Sequence, residues 1–163
     1  LTFGEHRRFH EVIRNPLSGS LHSHEAEGVW TSETTATIKL RADRRLSDFA
    51  LRLTLIVAGR RGRRQTLSIW AGSHCVFDGP VASWSPTEIS GSVHFERPSA
   101  DFVLTVRCGY TMSPRDEGIG EDPRQLGVML NTIELLEQTE QSDLSEPSGI
   151  DVVDPVDALR KTA

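Results

Sequence analysis

The fold is decided by residues 49–59, FALRLTLIVAG, in which every second side chain is apolar. The members of this series are Phe49, Leu51, Leu53, Leu55 and Val57. Side chains two positions apart lie on the same face of an extended strand. The stretch therefore predicts a strand with one face buried in a core.

The same period of two recurs along the chain. Alternating runs cover residues 35–42, 65–72, 92–96 and 101–108. Residues 127–136 favour a strand over a helix, because β-branched residues are frequent there. Many short strands of this kind predict an all-β fold, a two-sheet antiparallel β-sandwich of jelly-roll type.

Polar segments that contain glycine, proline or aspartate separate these runs. Among them, ADRRLSD (42–48), FDGP (77–80) and ERPSAD (96–101) predict turns. The chain does not alternate strands with long helices, so a parallel α/β fold is disfavoured. It also lacks the glycine-rich motifs that cradle nucleotide phosphates.

Length and composition favour one domain followed by a polar tail. The 163 residues suit one core, and we predict a β-sandwich over residues 1–137. Residues 138–163 are predicted to be an acidic linker or tail with a short helix starting near Asp154 and Pro155. The net charge of −5 argues against nucleic-acid binding, and the sequence has no apolar run of the roughly 20 residues that a membrane span needs.

The arginines and the cysteines leave alternatives open. GRRGRR (59–64) is interpreted as a solvated turn in preference to an anion site. Cys75 and Cys108 lack a CxxC partner, so free and mostly buried thiols are expected, although one disulfide between them stays open. No signal peptide is visible, and free thiols fit a reducing compartment, so we expect a cytoplasmic location.

The segment SLHSHEAEGVWTSE (20–33) allows three interpretations. His22 and His24 would share one side of a strand and could bind zinc, but a third ligand from His6, His10 or Glu5 is not fixed by the sequence. Two glutamates on one strand, Glu25 and Glu27, rarely flank a substrate as an acid and a base. The structural interpretation is favoured: Gly28 permits a close backbone approach and Trp30 fills the space between the sheets.

Two blocks resemble a family of bacterial β-sandwich, carbohydrate-binding-like accessory domains associated with glycosyltransferases and surface-polysaccharide assembly. The first block, HSHEAEGVWTSETTATIKL, resembles the pattern E-x-x-G-x-W-[ST]-x-x-x-A-x-[LI]-x-L, with one additional residue between Thr31 and Ala36. The second, SPRDEGIGEDPRQLGVMLNTIELL, matches a closing block that ends in D-P-R-x-L-G and a strand. The resemblance covers residues 17–137, but Trp70-Ala71-Gly72 replaces the family's V-N-G turn.

The second block also has a local physical interpretation. Asp122 is a natural cap and Pro123 suits the first position of a short helical turn before the last strand. Leu126 would seal the sandwich and Gly127 would start the last strand. Arg124 is placed to pair with a carboxylate at the sheet edge, and Glu25 is the candidate.

The resemblance implies a noncatalytic carbohydrate-binding or accessory module that serves glycan assembly. From the residues themselves we expect no cofactor and no bound metal. Such modules often carry a structural calcium, but no carboxylate cluster defines a site for it here. Aromatic faces and a few polar groups would bind the sugar. The candidate residues are Trp84, Trp70, Tyr110, His74, Asp78 and Arg115. Trp84 could instead fold back over the end of the sandwich, and the two alternatives are equally favoured.

Two other functions are considered. The low aromatic content, 6%, and the acidic tail fit a protein-interaction scaffold that docks a glycosyltransferase or another partner without binding sugar. A small hydrolase or metal-dependent enzyme would require the histidines to converge in a cavity. The expected partners are thus a glycan and a glycosyltransferase domain.

Overall fold

Residues 1–2, 4–12 and 20–137 are described by the computed structural model, and they form seven strands and one turn of helix. The order is β1 (Arg7–Arg8), α1 (Phe9–Val12), β2 (Val29–Trp30), β3 (Thr35–Val57), β4 (Gln65–Ala71), β5 (His74–Val81), β6 (Pro86–Cys108) and β7 (Val128–Leu136). All strand pairings are antiparallel, in the order β1-β7-β3-β6-β4-β5, and β2 also pairs with β7. The predicted all-β class is confirmed.

Strands β3 and β6 run through both layers of the sandwich. Residues 35–41 of β3 pair with residues 101–107 of β6, and residues 48–56 pair with residues 86–94. The register shifts between these two ladders. On one side of the shift β4 and β5 extend the sheet from β6, and on the other side β7 pairs with β3. Side chains from both halves form one core, so the bend creates the two sheets.

The predicted turns at residues 42–48 and 96–101 are wrong, because both segments lie inside strands. β3 and β6 are each 23 residues long, and the polar segments face each other where the register shifts. Local irregularities in a ladder, such as β-bulges, bend a strand and disrupt only a few ladder bonds. Polar residues at a bend therefore resemble a turn in the sequence, although the chain continues as a strand.

The predicted turn at residues 77–80 is also wrong, because it lies in β5. This strand is at the edge of the sheet and pairs only with β4. An edge strand tolerates proline, because the missing N–H would point away from the ladder. Pro80 therefore does not interrupt the strand as it would in the centre of a sheet.

The core follows the period of two. The apolar series that begins at Phe49 and ends at Val57 is fully buried. A second, smaller cluster closes the end of the sandwich where the loops meet, and it contains Trp30, Ala58, Met112, Leu126 and Met129. Leu126 therefore seals the sandwich as predicted.

The predicted tail, residues 138–163, and its short helix lie outside the described residues. Within the described part of the chain, no helix is long and apolar enough to cross a membrane.

Candidate functional site

Residues 20–32 form a small hairpin at one end of the sandwich. Glu25 and Gly28 exchange backbone hydrogen bonds of 2.9 and 3.3 Å, and His22 N donates to Trp30 O at 2.9 Å. His24 lies in irregular chain just before the turn between Glu25 and Gly28, and not on the strand that the zinc interpretation assumed. A Cβ on Gly28 would lie 2.4 Å from the carbonyl oxygen of Leu130, which confirms the predicted close approach.

Arg124 joins this hairpin to the loop that precedes β7. Its Nη2 lies 2.6 Å from Glu25 Oε1 and 2.7 Å from Asp122 Oδ2, and its Nε donates to both Asp122 oxygens at 3.0 and 3.1 Å. The predicted pairing with Glu25 is confirmed. The hydrogen bond from Arg124 is the main reason why the pKa of Asp122 falls to about 2.

The predicted turn around Asp122 has a different form. Asp122 Oδ1 accepts a hydrogen bond from the backbone N–H of Arg124 at 2.9 Å, so it caps the chain two residues later. Residues 122–124 are not helical. The helix-like hydrogen bond lies earlier in the loop, where Glu117 N donates to Ser113 O at 3.1 Å. Asp122 and Pro123 thus form a turn that is capped by the Asp122 side chain, in place of the predicted helical turn.

Two of the groups proposed for a zinc site have other partners. His22 Nε2 lies 2.7 Å from Gln125 O, and Glu5 forms an ion pair with Arg7. Residues 4–12 and 20–137 contain no cluster of three or more potential metal-ligating side chains. The side chain of His10 lies outside the described part.

Trp84 lies in the loop between β5 and β6, at the same end as the hairpin. Its backbone has a φ of 62°, a left-handed value that is unusual for a bulky residue. Its N–H donates to Val57 O at 2.9 Å, and its indole Nε1 donates to Gly59 O at 2.7 Å. The ring is tilted by 59° against Trp30, with centroids 6.1 Å apart, yet 41% of Trp84 stays exposed. Trp84 therefore covers the end of the sandwich and also remains partly exposed to solvent.

Tyr110 holds the neighbouring loop, residues 58–64. Its hydroxyl accepts from Arg60 N at 3.1 Å and donates to Arg63 O at 3.3 Å. The guanidinium carbons of Arg63 and Arg60 lie 4.4 and 5.5 Å from the ring centroid. Arg60 also pairs with Glu117 at 3.0 Å. These contacts bring the loops around residues 60, 84, 110 and 117 to one end, which we call the loop end.

Gln65 is a structural residue that the sequence analysis missed. It is fully buried, and its Nε2 donates to the carbonyl oxygens of Ala58 and Tyr110, both at 2.9 Å. Its Oε1 accepts from Gly109 N at 3.0 Å. A signal was available, because Gln65 occupies an inward position in the series that continues with Leu67. A polar residue in such a position must find internal hydrogen bonds.

The structure distributes the six predicted sugar-binding residues over three places. Trp84, Tyr110 and Arg115 belong to the loop end. Trp70 and Asp78 lie on the outer face of the sheet, where they pair with Cys75 and Ser68, respectively.

The sixth residue, His74, lines an open cleft of about 620 Å³ at the β4–β5 hairpin. His94, Phe95 and Phe102 also line this cleft. A hydrogen bond of 2.7 Å between His94 and Asp48 lowers the pKa of Asp48. The cleft is far along the strands from the loop end, so His74 does not join Trp84.

The two cysteines are free thiols. Cys108 is buried, and burial raises the pKa of its thiol to about 11. Cys75 is exposed on the outer face, so the expectation that both thiols are buried is wrong for this residue. β5 is an edge strand with one face in solvent. Cys75 is exposed because it lies on that face, paired with Trp70.

No protein-family model matches the sequence, and no curated protein matches it. A tryptic core variant of the Bacillus thuringiensis protein Cry1Da aligns with a TM-score of 0.50 and 11% identity, over 82% of this chain and 23% of that chain. The mosquito-larvicidal toxin Cry4Aa of the same species aligns with a TM-score of 0.50 and 11% identity, over 85% and 24%. The C-terminal CBM6 of LamC, a marine laminarinase from Zobellia galactanivorans, aligns with a TM-score of 0.46 and 9% identity, over 80% and 98%.

The chain spans about a quarter of the length of the two toxin chains. At these identities the toxin alignments show the fold alone. The association with glycosyltransferases stays a prediction. Trp84 is exposed at the loop end of this chain. The alignments and the strand pairings assign the chain to the β-sandwich fold.

Proposed function

We propose that this chain is a noncatalytic carbohydrate-binding module and that Trp84 is its sugar platform. The observation that carries the proposal is the fixed and exposed ring of Trp84. A left-handed backbone at a bulky residue costs about 1–3 kcal/mol and persists only where surrounding contacts enforce it. Here two hydrogen bonds, to Val57 O and Gly59 O, hold the residue with 41% of its surface exposed.

The chemistry of sugar recognition fits such a ring. The C–H face of a pyranose is apolar and stacks on an aromatic side chain, while its hydroxyls need polar partners. Because Trp84 is held by Gly59 and Trp30, little conformational entropy is lost when a ligand covers it. The same end supplies the polar groups of Glu117 and Arg115 for hydroxyls.

The biological setting is a further part of the proposal and rests on the sequence resemblance. We place the module in a glycan-assembly protein, next to a glycosyltransferase domain of the same or a neighbouring chain and in the cytoplasm. In this setting the module keeps a polysaccharide near the partner enzyme and carries out no reaction itself.

The test is a glycan-array screen of the purified chain with three variants. Trp84→Ala removes the ring, and Trp84→Phe keeps a ring but removes the indole N–H. Ile119→Ser is the matched control, because Ile119 is the other large apolar residue exposed in the described part of the chain, at 50%. We expect Trp84→Ala to weaken binding by about tenfold or more, Trp84→Phe to weaken it less, and Ile119→Ser to leave it unchanged.

Two outcomes would contradict the proposal. If the folded chain binds no glycan, a scaffold that docks a partner protein becomes the better explanation, and partner capture would follow. If glycan binding survives in Trp84→Ala, the platform lies elsewhere, and Trp70→Ala would test the outer face. Circular dichroism of each variant separates loss of binding from loss of folding.

A further inference from the structure

Four arginines are concentrated in the loop that holds Trp84. Arg60, Arg61, Arg63 and Arg64 are all exposed and lie within five residues of a chain whose net charge is −5. The loop begins at Gly59, whose carbonyl accepts the indole hydrogen bond of Trp84. The arginine series therefore begins at the residue that directly follows the hydrogen-bond partner of the Trp84 indole.

The loop has a defined shape that displays these side chains. Arg63 N donates to Arg60 O at 3.2 Å, and Gly62 provides the left-handed residue of this turn with a φ of 74°. The Tyr110 hydroxyl forms hydrogen bonds with the backbone of Arg60 and of Arg63, and its ring lies under the guanidinium groups of the same two arginines. Stacked guanidinium groups keep their planar N–H donors free at the edges, and ordering them in advance lowers the entropy cost of binding.

Three of these four arginines have no ion-pair partner among the described residues. Arg60 is the exception, because it pairs with Glu117. Among the described residues, Arg61, Arg63 and Arg64 have no carboxylate partner within 4.0 Å. Clustering like charges on a fixed loop is unfavourable unless a counter-charge arrives. A planar carboxylate or a sulfate matches the paired N–H donors of guanidinium groups.

We propose that the glycan bound at Trp84 is an acidic polysaccharide, whose carboxylate or sulfate groups pair with Arg61, Arg63 and Arg64 while a sugar ring stacks on Trp84. This inference rests on the proposed carbohydrate-binding function. It goes beyond that function because it names the class of polymer and assigns a role to the arginine loop. A nucleic acid is less favoured, because the chain outside this loop carries excess negative charge.

The test compares acidic polysaccharides with their neutral counterparts. The panel contains polygalacturonate, alginate, hyaluronan, chondroitin sulfate and dextran sulfate, each beside its carboxyl-reduced or desulfated form, and a double-stranded DNA. Binding of the full chain is measured at two salt concentrations. The variant Arg61→Ser/Arg64→Ser removes two charges that have no carboxylate partner among the described residues. The control Arg45→Ser/Arg97→Ser removes the same charge from exposed positions near the bend of β3 and β6.

We expect at least one acidic polymer to bind, its neutral form to bind at least about tenfold more weakly, and salt to weaken the interaction. The Arg61→Ser/Arg64→Ser variant should bind about tenfold more weakly than the control variant. Whether carboxylated or sulfated polymers bind identifies the acid group.

Three results would overturn the inference. Equal binding to acidic and neutral forms, still dependent on Trp84, would leave the carbohydrate-binding function in place and remove the acidic specificity. Equal binding to DNA would reduce the loop to a general polyanion site. Binding to no polysaccharide at all would reject both this inference and the proposed function.

Discussion

Replacing Arg124 with alanine should destabilise the fold, because this one side chain connects two loops through Glu25 and Asp122. Its guanidinium forms a pair at 2.6 Å with Glu25 and three hydrogen bonds of 2.7 to 3.1 Å with Asp122. The variant leaves two neighbouring carboxylates unpaired at the end of the sandwich.

The magnitude follows from the pKa of Asp122. A fall from an ordinary 3.8 to about 2 corresponds to about 2.4 kcal/mol for a fully shielded group. The Asp122 side chain is 29% exposed, so screening reduces this contribution to about 1 kcal/mol. The pair with Glu25 is similarly exposed and adds about 0.5–1 kcal/mol. We therefore expect Arg124→Ala to lose about 2 kcal/mol of unfolding free energy and about 4–8 °C in Tm.

The pH dependence has a definite sign. Because folding lowers the pKa of Asp122, the stabilisation is present above the unfolded-chain pKa of about 3.9 and is lost as pH falls through about 2. The stability difference between the wild type and Arg124→Ala should therefore be constant near pH 7 and shrink between about pH 4 and pH 2.

Urea unfolding followed by tryptophan fluorescence measures these differences. Arg41→Ala is the matched control, since its pair with Asp101 is longer, at 3.8 Å, and more exposed. The control should change the unfolding free energy by less than about 0.5 kcal/mol. An Arg124→Ala variant as stable as this control at pH 7 would refute the structural role given to the pair with Glu25.

Three further predictions concern the core and the thiols. Gly28→Ala should lose about 2–3 kcal/mol of unfolding free energy, because the added Cβ would lie 2.4 Å from the Leu130 carbonyl oxygen; unchanged urea unfolding would contradict this. Gln65→Leu should lose about 3 kcal/mol in the same assay, because one buried and one partly buried carbonyl oxygen lose their donor. At pH 8, a thiol reagent should label Cys75 within minutes and Cys108 only after unfolding, since Cys108 is buried with a pKa of about 11; mass spectrometry of the labelled sites checks this.

Sequence patterns predicted those features of the fold that depend on neighbouring residues. The alternation from Phe49 to Val57 identified the buried face, because the side-chain period of a strand is local. Two contacts between residues far apart in the chain were also predicted, from residue type: the close backbone approach at Gly28 and the pairing of Arg124 with Glu25.

The features that escaped prediction depend on distant partners. The continuity of β3 through residues 42–48 depends on β6, which supplies the ladder on both sides of the bulge. β5 was missed because Pro80 is tolerated only at an edge, and edge position is a property of the whole sheet.

In the candidate site, too, some features could be predicted from the local sequence and others could not. The exposure of a loop tryptophan could be predicted from the ASWSP segment around Trp84. Its partner, Gly59 O, belongs to a loop 25 residues earlier in the chain, so the locked geometry could not be predicted. The sequence likewise grouped His74 with Trp84, although the topology places them at different ends.

The shared strands β3 and β6 have a consequence for how the chain assembles and comes apart. Each belongs to both sheets, so neither sheet can form before the chain has been synthesised as far as Cys108, and the sheet that contains β7 also needs residues 128–136. Loss of their mutual pairing would dissolve both layers together, and no half of the sandwich contains a full set of partners. We therefore expect the described domain to unfold in a single cooperative transition and to resist division into independently folding fragments.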